Sequence, residues 1–394
     1  MIKWHKKIRI KKKKKEVLRM KEYGIGIIGF GFMGKAHTYG YQTIPFYYRN
    51  LPFRTKLVGV CTAHPKTAQQ AKELYGFSFA TTDPNKIWNN PSVDIVHICT
   101  PNVFHKDQVI LALQAGKHVY CEKPLTTSYR DAKEIVSILD GTDAITQMTF
   151  QNRFLPAVLR AKELLKEGRL GRILSFRACY LHSGSVDPDQ PIGWRQDKAM
   201  GGGVLFDLGS HVLDIIYYLI GKYQSILAKN TVLYPQRPAP DGTRKEITAE
   251  DQSLMLVQMK NGSTGVIEAS KIATGMNDEM RFEIHGDRGA IRFHLMDPSY
   301  LEFYDNTKPD QPIGGERGFT RIETVQRFPE PGGAFVSPKA PIGWIRGHVH
   351  CLYSFLNCVY EGKQASPSLR DGAYIQYVME KAFESDRTSR WVEL

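Results

Sequence analysis

The chain has 394 residues, 42% of them hydrophobic, and a formal charge of +13. That length suits about two domains with real apolar cores, and the absence of any uninterrupted apolar run of about 18 residues argues against a membrane span. The charge is unevenly placed: residues 1–20 hold ten lysines and arginines against Glu16 alone, +9 of the +13.

That first stretch reads as a disordered extension, or as sequence translated ahead of a start at Met20, since Met20-Lys21-Glu22-Tyr23 opens directly into a strand. A basic arm can bind polyanions, but the rest of the chain is close to neutral, and nucleic acid is not the expected partner. The arm lacks the apolar stretch and small-residue cleavage site of a secretory signal. Six cysteines (Cys61, Cys99, Cys121, Cys179, Cys351, Cys358) never form C-x-x-C, and no Cys/His cluster has zinc spacing. Reduced thiols, a cytoplasmic location and no metal are the expectation.

In chain order, residues 26–28 form the core of a first strand and 33–44 a helix. Residues 56–61 are a second strand and 65–75 a second helix. A buried strand over 93–99, a helix over 104–115, a strand over 118–121, a helix over 129–139 and a strand over 144–150 follow. Strands separated by helices of about 10–15 residues imply βαβ units and a parallel sheet. Beyond residue 150 the texture changes. A helix over 155–167 and a strand over 173–182 precede a long polar loop, 183–200, and a helix over 205–220. Strand-like segments then lie at 253–259, 263–269, 280–285, 290–294 and 301–304, with Asn261-Gly262 as a hairpin turn. The Gly- and Pro-rich stretch 310–341 reads as a surface excursion, and helices over 348–361 and 372–385 close the chain. The reading is an α/β domain over 21–150, then an α+β domain over 151–394 with a largely antiparallel open sheet. The C-terminal helix is free to pack back on the first domain.

Gly29-Phe30-Gly31-Phe32-Met33-Gly34 is a G-x-G-x-x-G between the first strand and the first helix. Gly29 permits the tight turn, Gly31 lets backbone approach a pyrophosphate, and Gly34 allows close helix–strand packing. The free N–H groups at the helix start then bind phosphate. The second strand ends Val60-Cys61-Thr62-Ala63-His64, without the acid that would hold a ribose and repel a 2′-phosphate. Thr62, His64 and Lys66 can serve such a phosphate, so NAD(H) and NADP(H) both stay open. Thr100, Pro101 and Asn102, with His105 close by, fall where the crevice of a parallel sheet opens.

Glu122-Lys123-Pro124 follows a strand end, where Lys123 can stabilise a developing alkoxide. Asp207 and His211, four residues apart on one helix face after Gly201-Gly202-Gly203, are a candidate acid/base pair. Each cluster also has a plain reading, a surface lysine or a helix-stabilising pair.

Taken in order, these motifs resemble the glucose-fructose oxidoreductase / inositol dehydrogenase / rhizopine-catabolism (Gfo/Idh/MocA) family. His37, Trp194-Arg195, Asp214 and Ile284-His285-Gly286 with Gly289 extend the match from about Tyr23 to the C-terminus. The resemblance implies a Rossmann domain followed by an α+β domain whose open sheet mediates dimers or tetramers. It implies catalytic roles for Lys123, Asp207 and His211: His211 deprotonates a sugar hydroxyl, Lys123 holds that oxygen, and Asp207 orients His211. It places Gln151-Asn152-Arg153, His182, Trp194 and Arg195 beside substrate. The activity implied is an NAD(P)-dependent sugar or polyol dehydrogenase, with a cofactor that either dissociates or stays tightly bound. The alternatives are a glycosidase using transient oxidation by NAD and a non-catalytic dinucleotide or sugar sensor.

Overall fold

The computed structural model describes residues 20–239, 241–325, 341 and 343–394. The basic arm and residues 326–340 of the Gly- and Pro-rich stretch therefore lie outside the described residues.

The first half is a six-stranded, all-parallel sheet in the order β3-β2-β1-β4-β5-β6. Its strands are β1 (Lys21–Ile28), β2 (Phe53–Cys61), β3 (Phe79–Thr81), β4 (Ile95–Ile98), β5 (His118–Cys121) and β6 (Thr146–Met148). The connections carry α1 (Phe32–Tyr47), α2 (Pro65–Tyr75), α3 (Asn85–Trp88), α4 (His105–Gln114) and α5 (Tyr129–Leu139). β1 is buried from Tyr23 to its end, because helices cover both faces of a parallel sheet. The order reverses between β1 and β4, and ligands of such sheets bind at that switch point.

The second half runs through α6 (Pro156–Lys166), β7 (Ile173–Leu181), α7 (Ser210–Ile220), β8 (Tyr223–Thr231), β9 (Gln236–Pro238) and β10 (Arg244–Glu246). It continues with β11 (Gln252–Met259), β12 (Thr264–Ser270), β13 (Glu279–Gly286), β14 (Gly289–His294), β15 (Tyr300–Asp305) and β16 (Phe319–Glu323). It ends with α8 (Trp344–Glu361), α9 (Leu369–Thr388) and β17 (Val392–Glu393). Nine strands form one sheet, β16-β15-β14-β13-β7-β12-β11-β8-β17, in which β7 and β12 are parallel and every other neighbour antiparallel. Alternation sets its two faces. Met255, Val257, Met280, Phe282 and Ile284 turn into the core, whereas Leu254, Leu256 and Arg281 face out.

Several expectations needed correction. β8 and β17 were not foreseen, and β16 crosses the stretch read as a surface excursion, pairing with β15. The helix expected over 205–220 opens with a π-turn, Leu205–Gly209, before α7; π-turns are rare and favour functional sites. The segment Lys198–Ile220 is long and apolar enough to cross a membrane, yet 78% of its apolar window is buried inside the protein, as expected of a core helix.

α8 returns to the first sheet. Val349, Cys351, Leu352, Phe355 and Leu356 share a core with Tyr23 and Ile25 of β1, Ile95 of β4, Tyr120 of β5 and Ile145. Each fully buried side chain of this size contributes roughly 1.5–3 kcal/mol. Tyr120 donates its hydroxyl to Cys351 Sγ at 3.0 Å, and Gln147 Nε2 donates to Cys351 O at 2.9 Å, fixing the docking register. All six cysteines are free thiols.

Candidate active site

A cavity of about 670 Å³ opens between the C-terminal edge of the parallel sheet and the start of α7. Its floor is the glycine-rich turn. Gly29 has φ +88, and a Cβ there would stand 2.5 Å from Cys99 O; a Cβ on Gly34 would stand 2.4 Å from Gly29 O. A Cβ on Gly31 would meet nothing within 4 Å of the protein. The first and third glycines thus serve packing and the second leaves space over the turn, a cradle that fits a pyrophosphate. Gly31 caps α1 without a side chain, and no acid stands in the first turn, so the helix start remains electropositive.

Phe30, Phe32 and Met33 line the cavity. Phe30 is also anchored against Tyr75 and Phe77, while Phe32 packs on Trp344 of α8 at 5.6 Å between ring centroids. Thr62 reaches the cavity, but its hydroxyl donates to His64 O at 2.8 Å and meets Thr67 Oγ1 at 2.7 Å. His64 is the exposed N-cap of α2, outside the lining. Thr100, Pro101 and Asn102 line the opposite side, where Asn102 Nδ2 donates to Gly201 O at 2.6 Å. His105 lies behind them, fully buried, with its ring nitrogens 2.9 Å from Pro124 O and 2.9 Å from Thr100 O. It braces two cavity loops from below.

Glu122 and Lys123 line the inner end. Burial pushes the Glu122 carboxyl up, but His37, whose Nε2 lies 2.9 Å from Oε1, and the Lys123 ammonium bring it below its usual value. Lys123 Nζ donates to Asp207 Oδ1 and to Asp207 O, each at 2.8 Å. Asp207 Oδ2 meets Lys271 Nζ at 3.0 Å and Arg195 Nε at 3.8 Å. Burial opposes its charge, yet Lys123, Lys271 and Arg195 together hold Asp207 well below the normal carboxylate range. Arg195 stacks on Trp194, and both line the cavity.

The expected Asp207–His211 contact is replaced by these cations. His211 is 5% exposed, its Nδ1 has no partner, and its ring edges meet Phe150 at 6.0 Å and Tyr180 at 5.8 Å. Burial, aided by Lys123, holds it well below 6.5, so it is neutral at physiological pH. The π-turn explains the altered partner: across Leu205–Gly209 the spacing is no longer that of an α-helix. Glu250 caps this turn by accepting from Leu205 N at 2.9 Å, and Gly203 (φ +114) leaves it room, since a Cβ there would stand 2.4 Å from Glu250 Oε1.

The residues expected beside substrate divide. His182 Nε2 meets Asp278 Oδ1 at 3.1 Å, and Tyr180 donates to the same oxygen at 2.6 Å, next to His211. Arg153 instead forks onto Asp214 at 2.8 and 2.5 Å, both groups buried. Burial pushes Asp214 up to about 6 against the pull of Arg153, and the paired geometry keeps both charged at neutral pH. Asn152 is buried, with Nδ2 3.4 Å from Met280 Sδ. Lys271, Tyr180 and Asp278 were missed by sequence reasoning; a lysine ending the apolar strand β12 was the one available hint. Among the described residues no group of three or more His, Cys, Asp or Glu is placed to hold a metal ion.

Both halves match family models: residues 23–150 an oxidoreductase family NAD-binding Rossmann fold, and residues 162–394 an oxidoreductase family C-terminal alpha/beta domain. Levoglucosan dehydrogenase of Pseudarthrobacter phenanthrenivorans is 31% identical over 390 residues, covering 95% of this chain and 99% of the relative. A solved structure of levoglucosan dehydrogenase in complex with NADH and L-sorbose superposes with a TM-score of 0.90 at 32% identity, covering 95% of this chain and 99% of that one. Glucose-6-phosphate 3-dehydrogenase of Bacillus subtilis is 26% identical over 374 residues, covering 93% of this chain and 97% of the relative. The chain belongs to the Gfo/Idh/MocA family of oxidoreductases.

Proposed function

We propose that the protein oxidises a ring hydroxyl of a sugar or cyclic polyol to a ketone, or runs the reverse reduction, with NAD or NADP. The observation that carries this reading is a buried His211 with Nδ1 unpartnered, one helical turn beyond Asp207, which binds the Lys123 ammonium at the dinucleotide cavity. Levoglucosan, glucose-6-phosphate and inositol dehydrogenases among the relatives support the substrate class.

A bound NAD or NADP would supply the acceptor for the hydride of the carbinol carbon. His211, neutral at working pH, takes the hydroxyl proton. Lys123 donates to the same oxygen and stabilises negative charge as it develops. Asp207 holds Lys123 and Lys271 in place, and its two oxygens are saturated by them, so it competes poorly for the substrate proton. Gly29–Gly34 and the α1 N-terminus would hold the cofactor's pyrophosphate. The end of β2 offers no carboxylate, so nothing on that strand repels a 2′-phosphate.

The outer face of the nine-stranded sheet supports a homo-oligomer. Arg177, Arg281 and Arg292 alternate there with Glu268, Glu283 and Glu302 around a shallow cavity of about 680 Å³. Such a face suits a second copy of itself, giving a dimer or tetramer measurable by sedimentation.

The decisive experiment identifies dinucleotide released on denaturation, then follows nicotinamide absorbance with a panel of sugars for the wild type, Lys123→Ala and His211→Ala. Reduction by a sugar, abolished by either substitution, is the expected result. Bound dinucleotide with no reduction by any sugar would redirect the assignment to a hydrolytic or sensing role.

A further inference from the structure

α8 delivers to the site one histidine whose bonding capacity the protein leaves unused. His348 is 4% exposed, and neither Nδ1 nor Nε2 has a hydrogen-bond partner. Buried polar atoms are ordinarily satisfied, and two other buried histidines, His105 and His97, place both ring nitrogens against polar atoms. His105 sets both nitrogens against carbonyls. His97 sets one against the Tyr41 hydroxyl and the other against His37.

The position of His348 is defined from several sides. Its ring lies 4.2 Å from that of Trp344, which in turn packs on Phe32 at the cavity mouth. It lies 6.5 Å from the ring of His37, the residue that holds Glu122. The charges of Glu122, Lys123 and Asp278 act on His348, and His348 acts on His211. It therefore stands directly behind the wall that Phe32 and Glu122 present to the cavity. Burial pushes it down to about 3, so the ring is neutral and carries one N–H donor and one free lone pair. A hydroxyl is itself both donor and acceptor, and matches either nitrogen.

We propose that His348 is a substrate-binding residue whose ring nitrogen hydrogen-bonds a non-reacting hydroxyl of the sugar and so selects which ring carbon faces the nicotinamide. The assignment rests on the sugar-oxidising reading above. It adds to that reading a residue contributed by a helix docked on the Rossmann domain.

The test begins by offering levoglucosan, D-glucose and myo-inositol to the wild type with NAD and with NADP. Turnover of none overturns the sugar reading and this inference together. With the best-oxidised sugar as probe, His348→Phe keeps the ring and its burial but removes both nitrogens, and His348→Gln keeps a donor and an acceptor. Loss of one hydrogen bond in His348→Phe is expected to raise KM about tenfold, with kcat held within about threefold. NADH affinity, read by fluorescence, stays unchanged, and His348→Gln keeps a near-native KM.

Deoxy analogues of the probe, each lacking one non-reacting hydroxyl, localise the contact. For one of them wild type and His348→Phe should show equal KM. An unchanged KM in His348→Phe overturns the inference alone, as does the same penalty with every deoxy analogue. A lowered melting temperature at native KM assigns His348 to packing and overturns it too. If His348→Phe does not fold, His348→Met repeats the comparison with a flexible apolar side chain.

Discussion

The two walls of the cavity recognise their ligands by different physics. The wall built on β1 and α1 offers backbone: three glycines, an uncapped helix start, and no ionisable side chain within the turn itself. The wall built from β5, α7 and β12 offers side chains: Lys123, Lys271 and Arg195 gathered on Asp207, with His211 alongside. The first wall discriminates by shape, so an added methyl harms it and a distant charge does not. The second discriminates by charge and protonation, so an isosteric change of one polar atom is enough to disable it.

The largest effect should follow from the second wall. His211→Ala is expected to lower kcat/KM by about 10²–10⁴-fold, with dinucleotide affinity by fluorescence titration close to native. If binding and turnover fall together, the walls are not separable. Arg153→Met, behind that wall, strands Asp214 as an uncompensated buried charge. It should destabilise the fold by about 3–5 kcal/mol in chemical denaturation, while the sugar KM of the folded fraction stays near native. A large KM change with native stability would place Arg153 at the substrate after all.

The backbone wall can be probed at two of its glycines. Gly29→Ala puts an alanine at φ +88 and a Cβ 2.5 Å from Cys99 O, a strain of about 1–3 kcal/mol visible in thermal melts. Gly31→Ala meets no protein atom, so its melting temperature should match wild type while dinucleotide affinity drops by about tenfold, the equivalent of roughly 1.4 kcal/mol. Equal affinity in Gly31→Ala would show that backbone approach at that position is not needed.

The last effect concerns pH. His97 and His211 are held below 6.5 by burial, and His348 and His350 are pushed down to about 3. Below pH 6.5 the unfolded chain takes up protons that the folded protein excludes. The stability from neutral burial is therefore complete above 6.5 and lost progressively as pH falls towards 3. Each such histidine contributes a slope of about 1.4 kcal/mol per pH unit. Melting temperatures should fall steeply between pH 6.5 and 5, and a flat profile there would contradict the burial pattern.

The two walls also differed in how far sequence alone exposed them. The glycine turn, Thr100–Asn102 and Lys123 are local: each is a short string at a strand end, and the parallel sheet brings strand ends to one edge. Asp207 and His211 were visible as a pair four residues apart after three glycines, but their relation was not, because a π-turn between them breaks the assumed spacing. Lys271 and Asp278 of the β12–β13 connection, Tyr180 of β7 and His348 of α8 come from three separate stretches of the chain, and each is an unremarkable residue in its own segment. Arg153 shows the converse limit: a polar string after β6 suggested a ligand contact, and only packing reveals that Asp214 claims it. β8, with the sequence YQSILAKNT, lacks the β-branched run that marks a strand, and is held by neighbours on both sides.

The docking of α8 has a consequence for how the protein is made. α4 and α5 cover one face of the β4–β6 half of the first sheet, and the apolar residues of the other face, Ile95, Tyr120 and Ile145, meet α8. α8 begins only at Trp344, close to the C-terminus of the 394-residue chain. During synthesis the nucleotide-binding half emerges from the ribosome first, yet Ile95, Tyr120 and Ile145 lack α8 until residues 344–361 have been made. A chain that stops before α8 would therefore leave Ile95, Tyr120 and Ile145 without the residues that cover them.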